Sequence, residues 1–136
     1  MRKPPPDSEG YWTKHYQSAY LDDAGNPNYP KPIRVAFLAY GTHKANRHAR
    51  FNQQEVAHVL GQLDDDGTFL PADRRTVHRA IATAVEWGLL SEGSKALCLI
   101  VPNHRIRGYH GDQNAPCDRH RAASTTTKRA SLRAVS

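Results

Sequence analysis

Long apolar runs are missing from this sequence. A membrane-spanning helix needs about 20 largely apolar residues, and only 38% of the 136 residues are hydrophobic. Cysteine is almost absent as well. Two residues, Cys98 and Cys117, are too few for a disulfide framework, and a reducing compartment fits them. The first ten residues, "MRKPPPDSEG", lack the apolar stretch of a secretory signal. There is no glycine-rich phosphate loop, and no nucleophile stands beside a credible base. These absences set the expectation of a soluble cytoplasmic protein, neither membrane-bound nor an enzyme, with no cofactor.

Acidic residues are scarce in one place. Residues 1–102 hold 12 Lys/Arg against 11 Asp/Glu, whereas residues 103–136 hold 7 against 2, so almost all of the net +6 lies in the C-terminal quarter. That stretch is rich in Arg, Ser, Thr and Ala and offers little apolar surface to offset the entropy of ordering, so much of it is expected to be disordered. A basic arm attracts polyanions without reading sequence; a solubilising tail is the plainer alternative.

The chain length suits one domain with loose ends. Residues 1–10, with Pro4, Pro5 and Pro6, form a flexible leader. Residues 11–30 carry Tyr11, Trp12, Tyr16, Tyr20 and Tyr29. A short helix would place Trp12, Tyr16 and Tyr20 on one stripe, ended by the turn formers between Asp22 and Pro27. Such aromatics can stack on bases, but packing onto a core or a partner subunit is the commoner use. A homodimer through residues 11–30 is therefore kept open.

Four further elements follow. In "KPIRVAFLAYGTHKAN" (31–46), Ile33, Ala36, Phe37 and Tyr40 fall at helical spacing. Pro32 suits a first turn, and His43, Lys44 and Arg47 suit a helix C-terminus. A short strand near residues 49–51 leads into "FNQQEVAHVLG". There Asn52 and Glu55 have capping-box spacing, Val56, Val59, Leu60 and Leu63 make an apolar stripe, and Gly61 is a stop. Residues 62–72 are acidic. Placing Gly67 at the glycine of a calcium loop puts Gln62 and Asp73 at the anchoring ligand positions, where neither fits, so a turn or hairpin at Asp66 and Gly67 is expected instead.

The helix expected over residues 73–87 is the most informative. Asp73 is an N-cap. Val77, Ala80, Ile81, Ala84, Val85 and Gly88 share one face, while Arg75, Arg79, Ala82 and Glu86 share the opposite one, flanked by Thr76, His78 and Thr83. Gly88 ends the helix. Residues 89–90 and 96–101 are then expected as two strands around a turn at 92–95, stopped by Pro102.

This order resembles a winged helix-turn-helix domain, an α+β fold of three helices with a β-hairpin wing. Its helices would be "PIRVAFLAYGTHKAN", "NQQEVAHVLG" and "DRRTVHRAIATAVEWGLL", and its wing residues 91–101 of "LSEGSKALCLIV". The likeness covers residues 28–102, so the domain is drawn at 31–102 with a basic tail at 103–136. It is similar to bacterial transcription regulators and plasmid replication initiators. It also resembles small proteins of actinobacterial phages and mobile elements, especially in "NYPKPIRVAFLAYGTHKANRHARF". One departure is the connection from Gly61 to Asp73, far longer than the usual three or four residues.

The resemblance implies a double-stranded DNA partner, with the third helix in the major groove and Arg74, Arg75, Thr76, His78 and Arg79 facing it. Arg75 and Arg79, one turn apart, are the candidates for bidentate hydrogen bonding to guanine. Thr76 and Arg74 are placed for phosphates, Asn52 and Gln53 for phosphate contact at the second helix, and Ser94 and Lys95 for the backbone from the wing. A phage or mobile-element transcriptional regulator is the implied role. A replication or excision accessory factor and a winged-helix protein-docking module are the alternatives.

One stretch stays outside that reading. "NHRIRGYHGDQNAPCDRH" contains His104, His110, Cys117 and His120. Cys117-x-x-His120 has zinc-pair spacing, but His104 with His110 is looser than the usual second pair, so no metal is expected.

Overall fold

The computed structural model describes residues 14–105 and 114–120. Among them the elements run α1 (Gln17–Ala24), α2 (Lys31–Thr42), β1 (His48–Arg50), α3 (Glu55–Val59), β2 (Gln62–Leu63), β3 (Phe69–Leu70), α4 (Arg74–Glu86) and β4 (Cys98–Ile100). The architecture is α+β, with two small antiparallel sheets, β1–β4 and β2–β3.

The middle helix α2 is apolar nearly all round because it is covered on two sides. Val35, Ala36, Leu38 and Ala39 are buried, and α4 packs against the helix on its core side. The opposite side carries Phe37 and Tyr40, which meet Tyr20 of α1 with ring centroids 5.7 and 5.6 Å away. Tyr29 stands edge-on to Phe37 at 5.6 Å. The aromatics of residues 11–30 that fall within the described part thus divide: Tyr20 and Tyr29 pack, while Tyr16 is open to solvent. The expected stripe is incomplete, since α1 starts after Tyr16 and Trp12 lies outside the described residues. The two helices approach closely at Gly41, where a Cβ would come within 2.7 Å of the Leu21 side chain.

Several expected boundaries shift. The helix expected to reach Asn46 stops at Thr42. There Arg47 takes a left-handed φ of 70°, and turn bonds from Lys44 N–H to His48 O and Arg47 N–H to Lys44 O swing the chain into β1. The acidic connection closes as the β2–β3 hairpin with Gly67 at φ +80°. Asp64 Oδ1 accepts from the N–H groups of Asp66 and Thr68, which shapes the turn. The extra length before α4 is therefore ordered structure. It folds back so that the Phe69 ring stacks on His58 of α3 at 5.5 Å, and so tightly that a Cβ on Gly61 would lie 2.5 Å from that ring.

The largest correction concerns the wing. Residues 89–90 form no strand. Instead β4 pairs with β1, His48 opposite Ile100, Ala49 opposite Leu99 and Arg50 opposite Cys98, and a single bond from Ser91 N–H to Ile100 O joins the preceding segment. Two local devices compete with a longer hairpin. Lys95 and Cys98 exchange backbone hydrogen bonds around a tight turn. Ser94 Oγ takes the N–H of Ile100 that a strand carbonyl would otherwise accept.

Beneath the ribbon, Val35, Val56, Leu60, Leu90, Leu99 and Val101 are the largest fully buried apolar side chains. One charge is buried with them. Arg34 donates from Nε to Ala24 O (2.8 Å) and from Nη2 to Val59 O (2.5 Å). These carbonyls close the C-terminal ends of α1 and α3, where the helix dipoles are negative, so the guanidinium bolts two helix ends together.

Finally, part of the basic tail is ordered. Residues 114–120 return across the outer face of the ribbon. Asn46 Nδ2 donates to Ala115 O, Arg50 pairs with Asp118 at 2.7 Å, and Lys95 Nζ donates to Arg119 O. These polar contacts, with Cys117 buried against Cys98, hold the segment on the ribbon. Residues 121–136 lie outside the described part.

Candidate nucleic-acid interface and a Cys/His cluster

Helix α4 divides cleanly. Asp73 accepts the Thr76 N–H at 2.7 Å as N-cap, and this bond, with Thr76's own side chain, holds the Asp73 carboxyl below its usual range. Val77, Ala80, Ile81 and Ala84 face the core. Arg74, Arg75, His78 and Arg79 are exposed. Among the described residues the only ion pair is Arg50–Asp118, so none of these three arginines is neutralised by a carboxylate at contact distance. The sole acid of the helix, Glu86, sits at its far end.

Arg74 and His78 line one wall of a groove of about 670 Å³, with Ala82 and Val85 below them and residues 92–97 opposite. Arg75 and Arg79 are not part of its lining and look outward from the next stripe of the helix.

Other expected contact residues are already engaged. The Thr76 hydroxyl side chain serves the Asp73 cap. Ser94 Oγ donates to Ser91 O and accepts from Ile100 N–H, so it builds its turn. The Lys95 ammonium is held by Arg119 O at 2.8 Å. Asn52 and Gln53 precede α3 rather than start it, and Asn52 N–H donates to Glu55 Oε1 at 3.0 Å. This is one half of the capping box expected from the spacing of Asn52 and Glu55, and it occupies the Asn52 amide.

The second constellation lies on the outer face of the β1–β4 ribbon. Antiparallel register places His48 and Cys98 diagonally on one face while Ala49 and Leu99 enter the core. Residues 114–120 lay Cys117 and His120 over them. The four ligand atoms all lie within 4.8 Å of one another. Cys98 Sγ is 3.5 Å from Cys117 Sγ and 3.3 Å from His48 Nδ1, and the two imidazoles stand edge to face at 4.9 Å. His120 Nε2–H donates to Gly93 O at 2.8 Å, while its Nδ1 is buried with no hydrogen-bond partner. Burial, then the neighbouring Cys117, pushes the Cys98 thiol up to about 12. Burial, then His120 and Arg47, lowers His48.

Cys117 and His120 were the legible half of this cluster. Of the other two histidines in that stretch, His104 is exposed on a turn and lies apart from the cluster, and His110 falls outside the described residues. His48 and Cys98 complete the cluster, 50 residues apart in sequence. Sequence reasoning missed them because strand register, not spacing, brings them together.

Compared with models of known families, with characterised proteins and with solved structures, the chain gives no match. No helix among the described residues is long and apolar enough to cross a membrane.

Proposed function

We propose that the protein is a double-stranded DNA-binding protein of winged helix-turn-helix type, with α4 as the helix that enters the major groove. The observation that carries this is the exposed basic face of α4, Arg74, Arg75, His78 and Arg79, with no carboxylate at ion-pair distance among the described residues, on a helix whose opposite face is core. The topology supports it. A helix, a short strand, two helices and a strand pairing back to the first is the connectivity of such a domain, here with a hairpin inserted between α3 and α4 and the wing reduced to the turn at 91–97. The major groove admits one helix, and Arg75 and Arg79 are spaced to reach guanine edges from it. Arg74 and His78, on the groove side, are placed for phosphates.

Within this reading the role is regulation of transcription in a phage or mobile element; marking an origin or attachment site uses the same chemistry at a different DNA sequence. A docking module on a host protein draws support from a different observation, the exposed Leu63, Phe69 and Leu70 of the β2–β3 hairpin.

Fluorescence anisotropy on duplex DNA across a salt series separates these. Binding by the full chain is expected to fall steeply with salt, by a log–log slope of about 0.9 per phosphate neutralised. The Arg75→Ala/Arg79→Ala protein is expected to bind at least ~10-fold more weakly. Equal binding by the double variant, with loss only when Arg121, Lys128, Arg129 and Arg133 are changed to Gln, would assign binding to the tail and reject α4. No binding at low salt would leave the docking module.

A further inference from the structure

We propose that His48, Cys98, Cys117 and His120 form a structural zinc site that pins residues 114–120 to the β1–β4 ribbon. The inference stands apart from DNA binding and does not need it. Its first support is the donor set. Two thiols and two imidazoles, with no carboxylate among them, select zinc over the oxygen-seeking magnesium and calcium.

The second support is distance. Zinc bonds of about 2.3 Å to sulfur and 2.0–2.1 Å to nitrogen give a tetrahedron with edges of roughly 3.3–3.8 Å. The Cys98–Cys117 edge of 3.5 Å and the His48–Cys98 edge of 3.3 Å already match. The remaining separations are no wider than 4.8 Å. A disulfide needs about 2.05 Å between sulfurs, which this pair does not meet.

The third support is the shell behind the ligands. Histidines that bind metal usually donate their other ring N–H to a carbonyl or carboxylate, which fixes the tautomer. His120 does this through Nε2–H to Gly93 O. The lone pair is then left on Nδ1, the buried atom without a partner. A metal ion in the cluster would satisfy it; otherwise its burial is a net cost.

The chemistry balances simply. Zn²⁺ takes two thiolates and two neutral imidazoles, the two thiol protons pass to solvent, and the centre is neutral. Four protein ligands leave no open position, so the site is structural and not catalytic. Its ligands come from β1, β4 and the 114–120 segment, and His120 also holds the Gly93 turn that faces α4 across the groove.

The test uses the full chain, purified without a histidine tag. Elemental analysis is expected to give one zinc per chain. After removal of the zinc, Co²⁺ is expected to give the intense visible bands of a tetrahedral ion with thiolate-to-cobalt charge transfer, both abolished by added Zn²⁺. Cys117→Ser and His48→Asn are expected to lose stoichiometric binding, and His104→Asn and His58→Asn to keep it. His120→Cys retains four ligands and should strengthen the charge transfer, so it reports even if another variant fails to fold. A weak octahedral cobalt spectrum, unchanged binding in Cys117→Ser, or recovery of a Cys98–Cys117 disulfide two hydrogens lighter than the thiols would each overturn the proposal.

Discussion

The exposed face of α4 and the outer face of the β1–β4 ribbon are built on opposite principles. The helix face is local: four side chains within six consecutive residues, each open to solvent and each able to change without disturbing the core. The ribbon face is assembled from three segments up to 72 positions apart, from His48 to His120, and its groups are buried or half-buried. A local face can be tuned for a ligand at little risk to folding. A non-local cluster couples its own chemistry to the fold, because any change to it also releases a segment.

That contrast ranks the expected effects. Stripping the metal, or Cys117→Ser, is the largest perturbation, since binding energy at such a site is folding energy. Hydrogen exchange is the measurement. Amides of residues 93–100 and 114–120 are expected to lose protection together, whereas those of α4 between Val77 and Ala84 keep theirs. Uniform loss across both regions would erase the distinction between them.

Next in size is Arg34→Met. The substitution keeps most of the volume but frees the carbonyls of Ala24 and Val59 that the guanidinium now holds. Hydrogen bonds to charged groups contribute about 1.5–3 kcal/mol each before replacement effects, and a net loss of about 2 kcal/mol in urea unfolding is expected. Lysine is no substitute, because one ammonium cannot reproduce the planar fork. Arg34→Lys should therefore recover less than half of the loss.

The Arg75→Ala/Arg79→Ala protein sharpens the comparison from the other side. Surface changes away from caps and cores usually stay within about 0.5 kcal/mol, so its unfolding midpoint should match the parent while DNA affinity falls. A variant that unfolds early would mean that these arginines hold α4 to its surroundings and are not simply presented by it.

How much of this was legible follows the same division. Asp73, the apolar stripe from Val77 to Ala84 and the turn at Asp66 and Gly67 announce themselves because their causes lie within one or two helical or hairpin repeats. The wing did not, because Ser94 Oγ and the Lys95–Cys98 turn satisfy backbone groups that the pattern assigned to a second strand. Nothing local marks Arg34, because its partners are the ends of α1 and α3. The ribbon cluster was half legible. Cys117-x-x-His120 is a local signal, but covering both faces of β4 makes Cys98, Leu99 and Ile100 a continuous buried run, which hides the alternation that would have set Cys98 apart from Leu99.

The smallest effect expected is a pH dependence at the α4 cap. The Asp73 carboxyl titrates below its ordinary value because its ionised form accepts from Thr76. A group whose pKa is depressed by folding stabilises the fold above its unfolded value, about 3.9 for aspartate, and that contribution fades as pH falls toward the folded value. Asp73→Asn keeps a capping side chain but removes the titration. The stability gap between parent and variant, read from urea midpoints, should therefore be widest near pH 7 and narrow on acidification to about pH 3. Asp118, paired with Arg50, is also depressed and titrates in the same window in both proteins, so it cancels from the difference. A gap that does not change with pH would mean that the ionised cap contributes nothing beyond its shape, and the order of α4 would then rest on its buried face alone.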